Sequence, residues 1–178
     1  MSKNAITWIR EDFRIENNPA LSYATQNHER VLALYIYNKN DFDAKREAQK
    51  WWLSKSLEIY KSELSKFKIN LQILAGDELD IFSKINKKDN ISVYWNKIYE
   101  PDVIAKGKKI RDIFVKNEIN YKYFKGNILN EFHTITKKDG TPFKVFSPFW
   151  RHAEQVYLEQ ISSNPKRLRK LPKKIKIF

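Results

Sequence analysis

Five short apolar runs, Ala5–Ile9, Val31–Tyr37, Ile69–Leu74, Ile91–Trp95 and Tyr121–Phe124, are rich in β-branched and aromatic residues. Runs of that length and composition read as buried strands. The segments between them carry helix signals. Asn18-Pro19 places an N-cap residue before a proline at the first helical position. From Ala44 to Phe67, residues Leu53, Leu57, Tyr60, Leu64 and Phe67 recur at helical spacing, with Trp51 almost opposite that stripe and free to meet a loop. Shorter helices are predicted over Glu78–Ile85 and Asp102–Asn117, the latter with Ile110, Ile113 and Phe114 inward. Strands alternating with helices mean a parallel sheet covered on both faces, and right-handed crossovers favour the order 3-2-1-4-5. The predicted class is therefore α/β, a Rossmann-like five-stranded parallel sheet.

The pattern changes after the fifth strand. Phe132–Thr136 and Thr141–Phe146 flank Lys137-Lys138-Asp139-Gly140, and Asp-Gly is a hairpin turn signal. Ser147-Pro148 opens a last helix that carries Phe149, Trp150, Ala153 and Val156 and ends before Pro165. Residues 1–163 are assigned to one α/β domain with this C-terminal hairpin and helix. Residues 164–178 read as a basic tail or interdomain linker without packed structure.

In a sheet of this order the chain reverses direction between strands one and four, and ligands bind in the crevice outside the carboxyl ends there. Strand one delivers Arg10, Asp12 and Arg14 to that crevice; strand four delivers Asn96, Tyr99 and Glu100. The two groups are far apart in sequence, and only the topology joins them. No Gly-x-Gly-x-x-Gly or Walker loop occurs among only four glycines, which disfavours a dinucleotide or triphosphate cradle. His28, His133 and His152 lack ligand spacing, and the serines have no nucleophile elbow, so metal chemistry and serine hydrolysis are not expected.

The net charge of +13 has two readings. A basic surface suits an anionic partner, nucleic acid first. Alternatively, abundant Lys, Asn and Ile reflect A/T-rich codons. Residues 164–178 hold seven Lys or Arg and no acid, so weak DNA contact is expected through the tail. There is no cysteine, no signal peptide and no apolar run near membrane-spanning length, so the expectation is a cytoplasmic protein with no membrane partner.

Three stretches together resemble the photolyase/cryptochrome family. Trp8-Ile9-Arg10-Glu11-Asp12-Phe13-Arg14-Ile15, followed by Asn18-Pro19-Ala20-Leu21, is similar to its opening motif. Val93 to Pro101 is similar to its motif after strand four, and Gly140 to Arg151 to the segment closing its α/β domain. Ala48 to Leu57, with Trp51-Trp52, also looks familial. Glu11 departs from the family's usual Arg or Asn, and Glu16-Asn17 departs from the aspartate that commonly precedes Asn18.

The resemblance implies an amino-terminal antenna domain that holds a light-harvesting chromophore, a methenyltetrahydrofolate in many members and a deazaflavin or flavin in others. It maps the antenna glutamate onto Glu100, its neighbours onto Asn96 and Tyr99, and the loop after strand one onto Arg10–Arg14. A carboxylate can accept from a pterin's amino and ring N–H groups, and arginines can meet a folate's glutamate tail or a flavin's phosphates. In the family, FAD and the DNA-lesion pocket belong to an all-helical domain with no counterpart in these 178 residues. The expected role is thus the light-harvesting domain of a DNA photolyase, supporting light-dependent repair of pyrimidine dimers and inactive as a lyase by itself. The alternatives are a cryptochrome-type photoreceptor domain, a stand-alone nucleotide- or flavin-binding module, and an interaction domain that docks a separate flavin-binding chain.

Overall fold

The computed structural model describes residues 3–128, 130, 131, 133–161 and 168–172. Strands β1 (Asn4–Ile9), β2 (Arg30–Tyr37), β3 (Asn70–Ala75), β4 (Ile91–Asn96) and β5 (Asn120–Phe124) form one sheet in the order β3-β2-β1-β4-β5. Every neighbouring pair is parallel, with Thr7 opposite both Ala33 and Tyr94 at the centre. The predicted order and class are what the structure has.

Because successive side chains on a strand point to opposite faces, each strand supplies two cores. Ala5 and Ile9 of β1 and Val31 and Ala33 of β2 pack under α1 (Pro19–Asn27) and α3 (Glu47–Lys66), which contribute Leu21, Leu57, Tyr60 and Leu64. Ile6 and Trp8 of β1, Leu32 and Leu34 of β2 and Val93 and Trp95 of β4 pack under α4 (Glu78–Ser83) and α5 (Pro101–Lys116). This second core is aromatic: Trp8 meets Phe82 edge-on at 5.0 Å, and Phe82 meets Phe114 at 5.3 Å. Offset and edge-on pairs of this kind add to the burial of their area.

The helix predicted over Ala44–Phe67 is one helix, Glu47–Lys66, and a separate short helix precedes it. A short α2 (Lys39–Asp43) is capped by the Asn38 side chain, which accepts from the Asn40 N–H at 2.9 Å, and α3 begins only at Glu47. Its start is fixed by Gln49, whose Oε1 accepts from the Arg46 N–H at 3.0 Å. The predicted hairpin is corrected as well. The Asp139–Gly140 turn forms, with the Gly140 N–H on the Lys137 carbonyl at 2.9 Å, but its described flanks do not pair as strands. Pro142 offers no donor, and an isolated two-stranded hairpin is marginal. The chain proceeds to α6 (Phe146–Ile161), where Phe146 and Trp150 stack almost parallel on an exposed surface. Trp51 and Trp52 are exposed on α3.

The basic tail also departs from expectation where it is described. Leu171 is 1% exposed and joins the core beneath α1 and α3. Its N–H donates to the Phe67 carbonyl at 3.0 Å. The Arg169 guanidinium donates to the Thr25 and His28 carbonyls, both at 2.8 Å, at the C-terminal end of α1 where carbonyls lack helical partners. The rest of that tail lies outside the described residues. Among those described, no helix is long and apolar enough to cross a membrane.

Candidate functional site

Arg10 is the first residue beyond β1. Its guanidinium lies 4.5 Å from the centre of the Trp8 ring and donates to the Asn96 carbonyl at the end of β4. Burial lowers its pKa to about 10, against the raising effects of Asp12, Glu11 and Glu78. It therefore remains a cation at neutral pH, with an orientation set by an aromatic face and a backbone acceptor.

Asp12 turns inward. Its Oδ1 accepts from the Arg10 N–H at 3.2 Å, and its Oδ2 accepts from Asn96 Nδ2 at 2.5 Å. Asn96 is 5% exposed, and both ends of its amide are bonded. Nδ2 also donates to Asn18 Oδ1 at 2.8 Å, and Oδ1 accepts from the Ala20 N–H at 3.1 Å. Asn18 in turn caps α1 by accepting from the Leu21 N–H at 3.1 Å. The sequence marks Asn18 as a helix cap. Its second role, binding strand four to the loop after strand one, has no local signal because the partner is 78 positions away.

Two adjoining clefts open over these groups, with Glu11 and Ile98 on the wall they share. The first, of about 320 Å³, lies at the carboxyl ends of β1 and β2 and the N-terminal ends of α4 and α5. Trp8, Ile36, Phe42, Leu53 and Val103 give it an apolar lining, and Arg10 supplies an interior cation. Trp8 is 3% exposed, and its indole N–H has no acceptor among the described residues. The second cleft, of about 310 Å³, is lined by Asp12, Arg14, Trp52, Asn96, Lys97 and Gly126. Both volumes lie at the lower end of the range for small-molecule sites.

The DNA photolyase family model matches residues 5–169. The chain belongs to the DNA photolyase family. It is 32% identical over 150 residues to a deoxyribodipyrimidine photo-lyase of Agrobacterium fabrum, covering 84% of this chain and 31% of that protein. It is 29% identical over 175 residues to Cryptochrome-2 of Arabidopsis thaliana, covering 93% of this chain and 28% of the relative. The crystal structure of a class III photolyase from Agrobacterium tumefaciens superposes with a TM-score of 0.79 at 27% identity, covering 100% of this chain and 36% of that one. The chain thus spans about a third of the length of these photolyase-family proteins.

The family's three characteristic stretches occupy distinct places here. The opening motif, Trp8 to Leu21, contributes Glu11 to the wall shared by both clefts and forms the start of α1. The stretch after β4 carries Tyr99 and Glu100 away from the crevice. The Tyr99 hydroxyl donates to Glu131 Oε1 at 3.0 Å, and Lys97 Nζ meets the same oxygen at 2.7 Å. Burial alone would raise the Glu131 carboxyl, but these two hydrogen bonds and the Lys97 charge hold it below the usual carboxylate range. Glu100 is the exposed N-cap position of α5, makes no side-chain cap bond and lines neither cleft. The third stretch forms the turn before α6 and its first residues. Among the six candidate residues, the structure brings Arg10, Asp12 and Asn96 into one bonded cluster and puts Arg14 on the second cleft. Tyr99 and Glu100 sit outside both.

Gly126 closes the second cleft at the far side. A Cβ there would lie 1.8 Å from the Lys97 carbonyl oxygen, so two backbone segments touch where only glycine fits. Gly126→Ala is expected to destabilise the fold by about 1–3 kcal/mol, the usual cost of forced overpacking, read as a lowered urea midpoint with an unchanged slope.

Proposed function

We propose that this chain is the antenna domain of a photolyase-type protein, and that it holds a planar light-harvesting chromophore of methenyltetrahydrofolate or deazaflavin type in the first cleft. The observation that carries this reading is Arg10. It is an oriented cation inside an apolar cleft at the carboxyl ends of the strands, suited to a ring carbonyl and in no ion pair among the described residues. Energy transfer needs a chromophore held at a fixed angle, with no nucleophile and no metal. The stacked guanidinium and the aromatic floor supply that rigidity. Arg14 and Lys97 in the adjoining cleft are placed for an anionic tail that crosses the Glu11–Ile98 wall. Asp12 and Asn96 act as positioning residues, and Tyr99 and Glu100 contact only the part of a ligand that extends beyond the clefts.

The test is a titration with methenyltetrahydrofolate, followed by near-UV absorbance and induced circular dichroism. Wild type is expected to show saturable binding. Arg10→Ala should weaken it by roughly tenfold or more, the scale of one lost hydrogen bond to a charged group. Equal affinities would remove Arg10 from the site.

The wider reading places FAD and the repair chemistry in a helical domain beyond this chain, with weak, salt-sensitive DNA contact through the basic tail. The 178-residue chain, illuminated with added reduced flavin and dimer-containing DNA, is accordingly expected to restore no thymines above the protein-free control.

A further inference from the structure

We infer that the rim of the first cleft is an electrostatic filter that refuses phosphorylated ligands, so that the ring bound there carries no phosphate. The inference rests on the reading of that cleft as a ring-binding site and narrows the class of ring. Parallel sheets usually take phosphates at helix N-termini, where free N–H groups and the helix dipole favour an anion. Here, among the described residues, the one full-length helix whose N-terminus opens on the cleft, α5, already presents Asp102 in its first turn, and the short α4 presents Glu78. Glu11 and Asp41 complete the acidic lining, and neither they nor Asp102 make an ion pair among the described residues.

The cations on this cleft's own lining do not offset this, and Arg14 and Lys97 lie on the second cleft, across the Glu11–Ile98 wall. Lys106 is held by Glu78 at 2.7 Å and Asp77 at 3.7 Å. Arg10 is turned onto the Trp8 ring and the Asn96 carbonyl. Among the described residues Arg10 and Lys45 are the lining cations without a carboxylate partner, against three lining acids in the same state, Glu11, Asp41 and Asp102. No glycine lines the cleft, so no backbone can close around a phosphate. An acidic rim on a chain of net charge +13 is not an echo of its composition. Within the lining, the Trp8 N–H has no acceptor among the described residues and can be met by a neutral one such as a ring carbonyl.

Riboflavin and flavin mononucleotide share a ring and differ by one phosphate, so they isolate the effect. Fluorescence titration of the purified chain at low ionic strength should show riboflavin bound about fivefold tighter or more, the scale of one unit-charge repulsion near contact in water. The gap should shrink with added salt, and it should close in a Glu11→Gln/Asp102→Asn variant. Equal or tighter binding of the mononucleotide, or a gap that survives the double substitution, overturns the filter and leaves the ring-binding reading standing. Exclusion of both flavins also overturns it, since shape and not phosphate is then refused. If methenyltetrahydrofolate fails to bind too, the reading of the cleft falls with it.

Discussion

Replacing Leu171 by alanine is expected to cost about 2–5 kcal/mol of stability, the range for deleting a buried leucine side chain. Leu171 is 1% exposed in the core shared with Ala5, Leu64 and Ile69, and the backbone around it is tied down on both sides. Its own N–H reaches the Phe67 carbonyl, Lys68 Nζ reaches the Pro172 carbonyl at 3.1 Å, and Arg169 closes the end of α1. With those restraints the site has little freedom to collapse around a cavity. A loss of this size is a large share of the 5–15 kcal/mol typical of a domain. Urea unfolding at neutral pH measures it, with a lowered midpoint and an unchanged slope as the signature. A loss under about 1 kcal/mol would mean that residues 168–172 detach readily and that the domain ends at α6.

That contact shows where sequence reasoning stops. The strands and their order were legible because apolar runs of strand length alternate with helices, a pattern that admits few topologies. The cap of α1 was legible because Asn18-Pro19 is a local signal. Leu168 and Leu171 were not, because two apolar residues among lysines and arginines have no period. The surface that buries them, between the C-terminal ends of α1 and α3, exists only after folding. The hairpin failed for the opposite reason: a strong turn signal was present, and the flanking ladder was not. At the crevice, topology foretold that the ends of β1 and β4 would meet. Whether a polar residue there faces a ligand or another residue depends on side-chain direction, and the sequence pattern is the same for both. On that ground alone the Asn96 amide turned to Asp12 and Asn18, while Arg10 came to line the first cleft.

Asn96→Ala is expected to be as damaging as the leucine substitution and to act differently. One amide here serves three groups: the Asp12 carboxylate, the Asn18 carbonyl oxygen and the Ala20 N–H. Removing it strands a buried helix N–H, at a cost of about 1–3 kcal/mol, and deprives the half-buried Asp12 carboxylate of a donor. A total of about 2–4 kcal/mol is expected, since water entering the space left by the side chain recovers part of the loss. Ligand affinity should fall as well, because Asp12 also accepts from the Arg10 N–H and so sets the loop that aims the guanidinium. Asn96→Asp separates this account from one in which Asn96 merely touches ligand. A second carboxylate 2.5 Å from Asp12 Oδ2 replaces a donor by a repelling charge. Like-charge repulsion raises the pKa of the coupled pair in the folded state above its unfolded value. The penalty is therefore full near neutral pH and is relieved as pH falls through the raised folded pKa, where one proton bridges the two groups. The Asn96→Asp variant should accordingly be less stable than Asn96→Ala at pH 7 and close that gap on mild acidification, by urea midpoints across pH. Equal, pH-independent stabilities of the two variants would show that Asn96 does not hold the two loops together.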